Sequence, residues 1–156
     1  MDFEILNTER LILRKLTPND YDFIFENYSE NEIRNILGVN SDDDFKIEVR
    51  KNKKGYSTYH TTILSFQIID NKTHNIIGKC GFHNWYMEHC RAELGFALTN
   101  ENYRNKGIMK EALKAVMEYG FEKMKLNKKL PARSRAKADY LLTTKLFWYN
   151  FCQGVK

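Results

Sequence analysis

Tyr103-Arg104-Asn105-Lys106-Gly107-Ile108-Met109 separates two runs of different periodicity. Residues 92–98, before it, alternate as a strand does. After it, Met109, Leu113, Val116, Gly120 and Met124 recur at steps of three and four, with Ala112, Met117 and Phe121 beside them. Lys110, Glu111, Lys114, Glu118, Glu122 and Lys123 fall on the other side, which makes residues 108–126 a helix with one buried face. A loop that leaves a strand, carries two cations and a glycine, and then opens a helix is suited to phosphate. The first helical turn has N–H groups without intrahelical acceptors, and the macrodipole adds positive potential behind them. Gly107 omits the Cβ that would hold a diphosphate off those amides. Arg104 and Lys106 bring charge of the matching sign. An ordinary strand-to-helix turn uses the same residue types, so the flanking periodicity carries the reading.

Two other phosphate loops are excluded by pattern. The chain has no G-x-x-x-x-G-K-[ST], and no G-x-G-x-x-G followed by an acidic residue after a second strand. What it has is R-x-x-G-x-M preceded by Arg91-Ala92-Glu93-Leu94-Gly95-Phe96-Ala97-Leu98. This pairing resembles the coenzyme A pyrophosphate loop of the GNAT acetyltransferases and the strand before it. Thr8-Glu9-Arg10-Leu11-Ile12-Leu13-Arg14 is similar to the opening of the branch that acetylates ribosomal-protein N-termini, as is Lys106-Gly107-Ile108-Met109-Lys110-Glu111-Ala112-Leu113. The resemblance runs over residues 3–127. It implies an α+β fold in a single GNAT-like domain, residues 1–156, with a central, mostly antiparallel sheet, helices on both faces and an irregular C-terminal part.

The resemblance also implies roles. Acetyl-CoA would be the co-substrate, with its pyrophosphate on Arg104, Asn105, Lys106, Gly107, Ile108 and Met109. The acyl carbonyl would be held by backbone N–H groups of Phe96, Ala97 and Leu98. The acceptor would be a primary amine, on a small molecule or a protein N-terminus. A lysine amine has a pKa of about 10.4 and an α-amine one of about 8, so the α-amine needs the weaker base. Glu93 is the candidate for that base, and its apolar neighbours Ala92 and Leu94 suggest a carboxyl raised by desolvation. The plain alternative is an outward Glu on a half-exposed strand, or a partner for Arg91. Gly95 marks a bulge, a close backbone approach, or crowding against the helix.

Local signals organise the rest. Residues 11–13 read as a first strand. Thr17-Pro18-Asn19-Asp20 starts a helix, with Thr17 as N-cap and Pro18 at the first helical position. Residues 32–37 form a second helix closed by Gly38, and Ser41 caps a third that runs to about Lys54. Residues 62–69 and 76–82 make a hairpin, and residues 91–98 add the next strand. Cys80-x-x-His83 is the nearest approach to a metal pair, but alternation puts the two on opposite faces, so no metal is expected.

Composition sets limits. With 156 residues, 42% hydrophobic and 29% charged, the chain fits one soluble domain with a single core. Three cysteines without C-x-x-C spacing, no long apolar run and no leader pattern over residues 1–16 point to the cytoplasm, with no membrane partner. The net charge of +5 includes a cluster without acids: Lys125, Lys128, Lys129, Arg133, Arg135 and Lys137. That cluster motivates one rival, a nucleic-acid-binding module, which is the less favoured reading.

The other rival is a catalytically silent acyl-CoA-binding domain, and it comes from the C-terminus. After residue 127 the family would continue with a strand. This chain gives Lys128-Lys129-Leu130-Pro131-Ala132-Arg133-Ser134-Arg135, and Pro131 cannot donate to a strand ladder. The tyrosine usually offered as general acid to the leaving thiolate has Tyr149 as its candidate here, with Tyr140 the alternative.

Overall fold

Apolar side chains at every second position favour extended backbone wherever one sheet face can be buried. The computed structural model of the protein describes residues 2–58, 62–99 and 101–126. In chain order these form β1 (Ile5–Asn7), β2 (Leu11–Leu16), α1 (Pro18–Asn27), α2 (Glu30–Leu37), α3 (Asp42–Lys54), β3 (Thr62–Asp70), β4 (Ile76–Tyr86), β5 (Arg91–Leu98) and α4 (Ile108–Glu122). The strands pair antiparallel in the order β1-β2-β3-β4-β5. Three helices fill the connection from β2 to β3, so the class is α+β.

Helix boundaries follow local chemistry. Thr17 accepts from the Asp20 N–H, and Asp20 accepts from the Thr17 N–H at 2.7 Å, a complete capping box. α2 starts at Glu30, earlier than the expected residue 32, because Ser29 and Glu32 form a second capping box. α4 ends at Glu122, short of residue 126. The chain folds back there, with the Leu126 N–H donating to the Gly120 carbonyl at 3.0 Å. β1 is an addition to the expected strands, since three residues are too few to show a period. β4 continues past the expected Phe82 to Tyr86, across a register shift between His83 and Tyr86.

The two sheet faces carry different cores. Leu11, Leu13, Leu64, Phe66, Ile68, Cys80 and Phe82 pack beneath Ile108, Ala112, Leu113 and Val116 of α4. On the other face Leu16 joins Tyr21 and Ile24 of α1 and Ile33 of α2. Helices therefore cover both faces, as expected. Ala92, Leu94 and Leu98 of β5 lean on the α4 core. By alternation Glu93, Gly95 and Ala97 project to the side of α1–α3. Among the described residues no helix is long and apolar enough to cross a membrane.

Candidate active site

β5 is the last strand of the sheet among the described residues, and its pairing decides which backbone groups face outward. The Thr99 N–H donates to the Ile77 carbonyl at 3.0 Å. Bonded and non-bonded pairs alternate along an antiparallel ladder, so Lys79 with Ala97, Gly81 with Gly95 and His83 with Glu93 are the bonded pairs. By the same alternation Phe96 and Leu98 direct N–H and C=O away from β4. Ala97 does not, because its backbone engages Lys79.

Glu93 departs from expectation in its surroundings. Its side chain is 60% exposed, so the desolvation inferred from Ala92 and Leu94 is not realised. The reason is the strand period: both apolar neighbours point to the opposite face. On its own face Glu93 Oε2 lies 3.0 Å from His83 Nε2 and accepts from Asn84 Nδ2 at 3.2 Å. His83 is thus a site residue that the sequence reading weighed only as a metal ligand. Its Nδ1 sits 3.1 Å from where a Cβ on Gly95 would be. Gly95 is small because an imidazole lies across it, rather than a helix, and the register shift falls at residues 83–86 instead.

The loop after β5 makes a short 3-10 turn, Glu101–Tyr103, before α4. Asn105 and Gly107 both take positive φ, 60° and 75°. The glycine at 107 accepts this without the 1–2 kcal/mol or so that a Cβ adds in that region. Ile108 is buried and Met109 packs against the same core, so their side chains turn inward, while first-turn N–H groups point along the helix axis toward its start. Glu111 N–H to Gly107 C=O is the first helical bond, and no side chain caps the end. The N–H groups of Ile108, Met109 and Lys110 have no acceptor among the described residues. Arg104 pairs with Glu101 at 2.7 Å, both side chains largely exposed. Such a pair is worth about 0.2–1 kcal/mol and yields readily to a phosphate.

A bracket from the β1–β2 turn holds this loop from behind. Arg10 donates through Nη1 to the Lys106 carbonyl at 2.9 Å and through Nε to Glu111 at 2.7 Å. Glu111 also accepts from the Arg10 N–H at 2.8 Å and the Thr8 hydroxyl at 2.6 Å. Burial pushes the Glu111 carboxyl up, but the Thr8 hydrogen bond and the Arg10 bonds and charge outweigh this and hold it below the usual range. Tyr103 adds a second tie, donating to Asp70 at 3.2 Å. The sequence signal for the bracket was Thr8-x-Arg10, read only as a resemblance.

The remaining candidates sort by position. Cys80 is buried in the α4 core, which pushes its thiol up to about 12, and His83 lies on the other face. Tyr140, Tyr149, Pro131 and the basic cluster from Lys128 to Lys137 lie outside the described residues. On the α1–α3 side a cavity of about 320 Å³ is bordered by Tyr21, Glu48, Gln67, Lys79 and Thr99.

Residues 10–139 match the acetyltransferase (GNAT) domain family, past the residue 127 at which the motif resemblance stops. The chain is 31% identical over 127 residues to the uncharacterized N-acetyltransferase YoaA of Bacillus subtilis (strain 168), covering 81% of this chain and 71% of YoaA. A solved acetyltransferase structure from Agrobacterium tumefaciens str. C58 aligns over 94% of this chain and 83% of its own, with 21% identity and a TM-score of 0.51. A Vibrio cholerae structure, provisionally described as a ribosomal-protein-serine acetyltransferase, aligns over 79% of this chain and 70% of its own. Its identity is 19% and its TM-score 0.50, so both structures speak for the fold alone.

Proposed function

The chain belongs to the GNAT acetyltransferases, and on that premise we propose that it transfers an acetyl group from acetyl-CoA to a primary amine. The observation that carries this is the uncapped start of α4, where the amides of the first helical turn follow a left-handed Gly107 at the sheet end where β5 finishes. The residues fit a diphosphate: the helix start carries no side-chain cap, Arg104 and Lys106 stand in the loop that leads to it, and Gly107 adds no side chain. Bound there, acetyl-CoA supplies an activated thioester carbonyl.

The protein's own groups do the rest. Amides of Ile108, Met109 and Lys110 hold the pyrophosphate. Leu98 offers its backbone N–H to the carbonyl oxygen as negative charge develops on it. Glu93 draws the proton from the amine, with His83 beside it to orient the carboxylate or carry the proton between them. The acceptor is admitted on the α1–α3 face of the sheet, to which Glu93 projects. Among amines we favour a protein N-terminus, because an exposed carboxylate–imidazole pair suits an α-amine of pKa about 8 better than a lysine.

A thermal-shift titration with CoA, coupled to acetyl-CoA turnover on a panel of amines, tests this. Gly107→Glu is expected to lose CoA stabilisation, while Glu93→Gln keeps it and loses at least tenfold in turnover. CoA binding by the wild type without transfer to any amine would identify a silent binding domain instead. Equal CoA stabilisation of Gly107→Glu would remove the cofactor from the start of α4.

A further inference from the structure

The β1–β2 turn lies outside the strand and loop that the acetyltransferase reading uses, yet four hydrogen bonds run from Thr8 and Arg10 to the start of α4. Lys106 C=O and Gly107 N–H belong to one trans peptide and point in opposite directions. Arg10 Nη1 holds that carbonyl at 2.9 Å, so the Gly107 N–H is aimed away from Arg10, toward the side on which no protein group caps the helix. Glu111 presents a second problem. It lies in the first turn of α4, where a bare carboxylate would repel a diphosphate at the same end. Arg10 Nε meets it at 2.7 Å and the backbone N–H of Arg10 at 2.8 Å. The guanidinium itself stays behind the loop, with Nη2 3.5 Å from where a Gly107 Cβ would lie. The turn is anchored in turn by the Asn71 N–H, which donates to the Arg10 carbonyl at 3.0 Å.

We propose that Arg10 is a positioning residue for the pyrophosphate cradle, orienting the Lys106–Gly107 peptide and cancelling the charge of Glu111 so that the α4 amides accept a diphosphate. Arginine suits both tasks because its planar fork reaches a carbonyl and a carboxylate at once, which a lysine ammonium does not do with the same geometry. The inference rests on the acetyl-CoA reading and assigns it a residue that never touches the reacting atoms.

The test uses the full chain and free CoA, with dissociation constants from calorimetry beside steady-state kinetics. Arg10→Gln is expected to weaken CoA binding about tenfold and raise the KM for acetyl-CoA in proportion, with kcat at saturation within about twofold of wild type. Arg10→Lys, which keeps the charge and loses the fork, is expected to fall between the two and covers the case of an unfolded Arg10→Gln. Adding Glu111→Gln to Arg10→Gln is expected to recover part of the lost affinity, because the uncompensated carboxylate is gone. A purely structural strut predicts no such recovery. A wild type that binds CoA beside an Arg10→Gln that binds it equally overturns the proposal while leaving the acetyltransferase reading intact. A folded wild type that binds no CoA overturns both.

Discussion

A carboxylate beneath two lysines and a carboxylate on an open strand face behave differently, and this chain contains both. Glu48 of α3 is largely buried, accepting from Lys51 at 2.7 Å and Lys79 at 3.1 Å. Burial pushes its carboxyl up, but the Lys51 hydrogen bond and the charges of Lys79 and Lys51 overcome this and hold it below the usual range. A depressed carboxyl adds stability above its unfolded pKa, about 4.3, and loses it as pH falls through the folded value. Glu48→Gln is therefore expected to cost about 1 kcal/mol at pH 7. Melting curves from pH 7 to pH 3 should show the gap to wild type closing below about pH 4. A gap that widens toward acid would reverse the sign of this assignment. Glu93, exposed beside His83, illustrates what sequence shows and what it hides at this scale. Its place on the strand before the loop was legible from spacing. Its partners were not, because they come from β4 across a register that no local pattern encodes.

Helices here begin and end where single side chains close them, so their bounds were largely readable from sequence. Thr17, Ser41 and Gly38 stand where capping chemistry put them. Apolar spacing continues through Met124 and so predicts a helix four residues longer than α4, but the chain leaves the helix after Lys123, takes a left-handed φ of 55° at Lys125 and brings Leu126 over Gly120. At Gly120 α4 packs tightly on the sheet: an added Cβ would lie 2.6 Å from Phe82 Cζ and 3.0 Å from Leu126. Two effects compete in Gly120→Ala. Helix propensity favours alanine by about 1 kcal/mol, and overpacking a filled core costs about 1–3 kcal/mol. Phe82 is 6% exposed and has no room to withdraw, so overpacking wins. Gly120→Ala is expected to lower stability by about 1 kcal/mol, a fall in Tm of roughly 2–4 °C. A rise in Tm would show that the ring can move aside.

For the whole molecule the consequence of the architecture is linkage. Ligand that binds only the folded chain stabilises it by about 2.7 kcal/mol at a hundred times its Kd. For a chain of this size that is a Tm rise of roughly 5–10 °C with CoA, and the rise should vanish in Gly107→Glu. The amino-acid sequence alone determined the fold class, the caps at Thr17, Gly38 and Ser41, the hairpin and the loop that opens α4. Each of these is set by neighbours within a few residues, through period, capping or an allowed φ. Tertiary structure decided which groups face that loop. Arg10 and Glu111 are 101 residues apart in sequence, and their meeting depends on the β1–β2 turn and the start of α4 sharing one end of the sheet. His83 reaches Glu93, and Glu48 gains Lys79, for the same reason. Partners across strands are chosen by register and packing of the whole sheet, and no stretch of sequence read by itself contains that information.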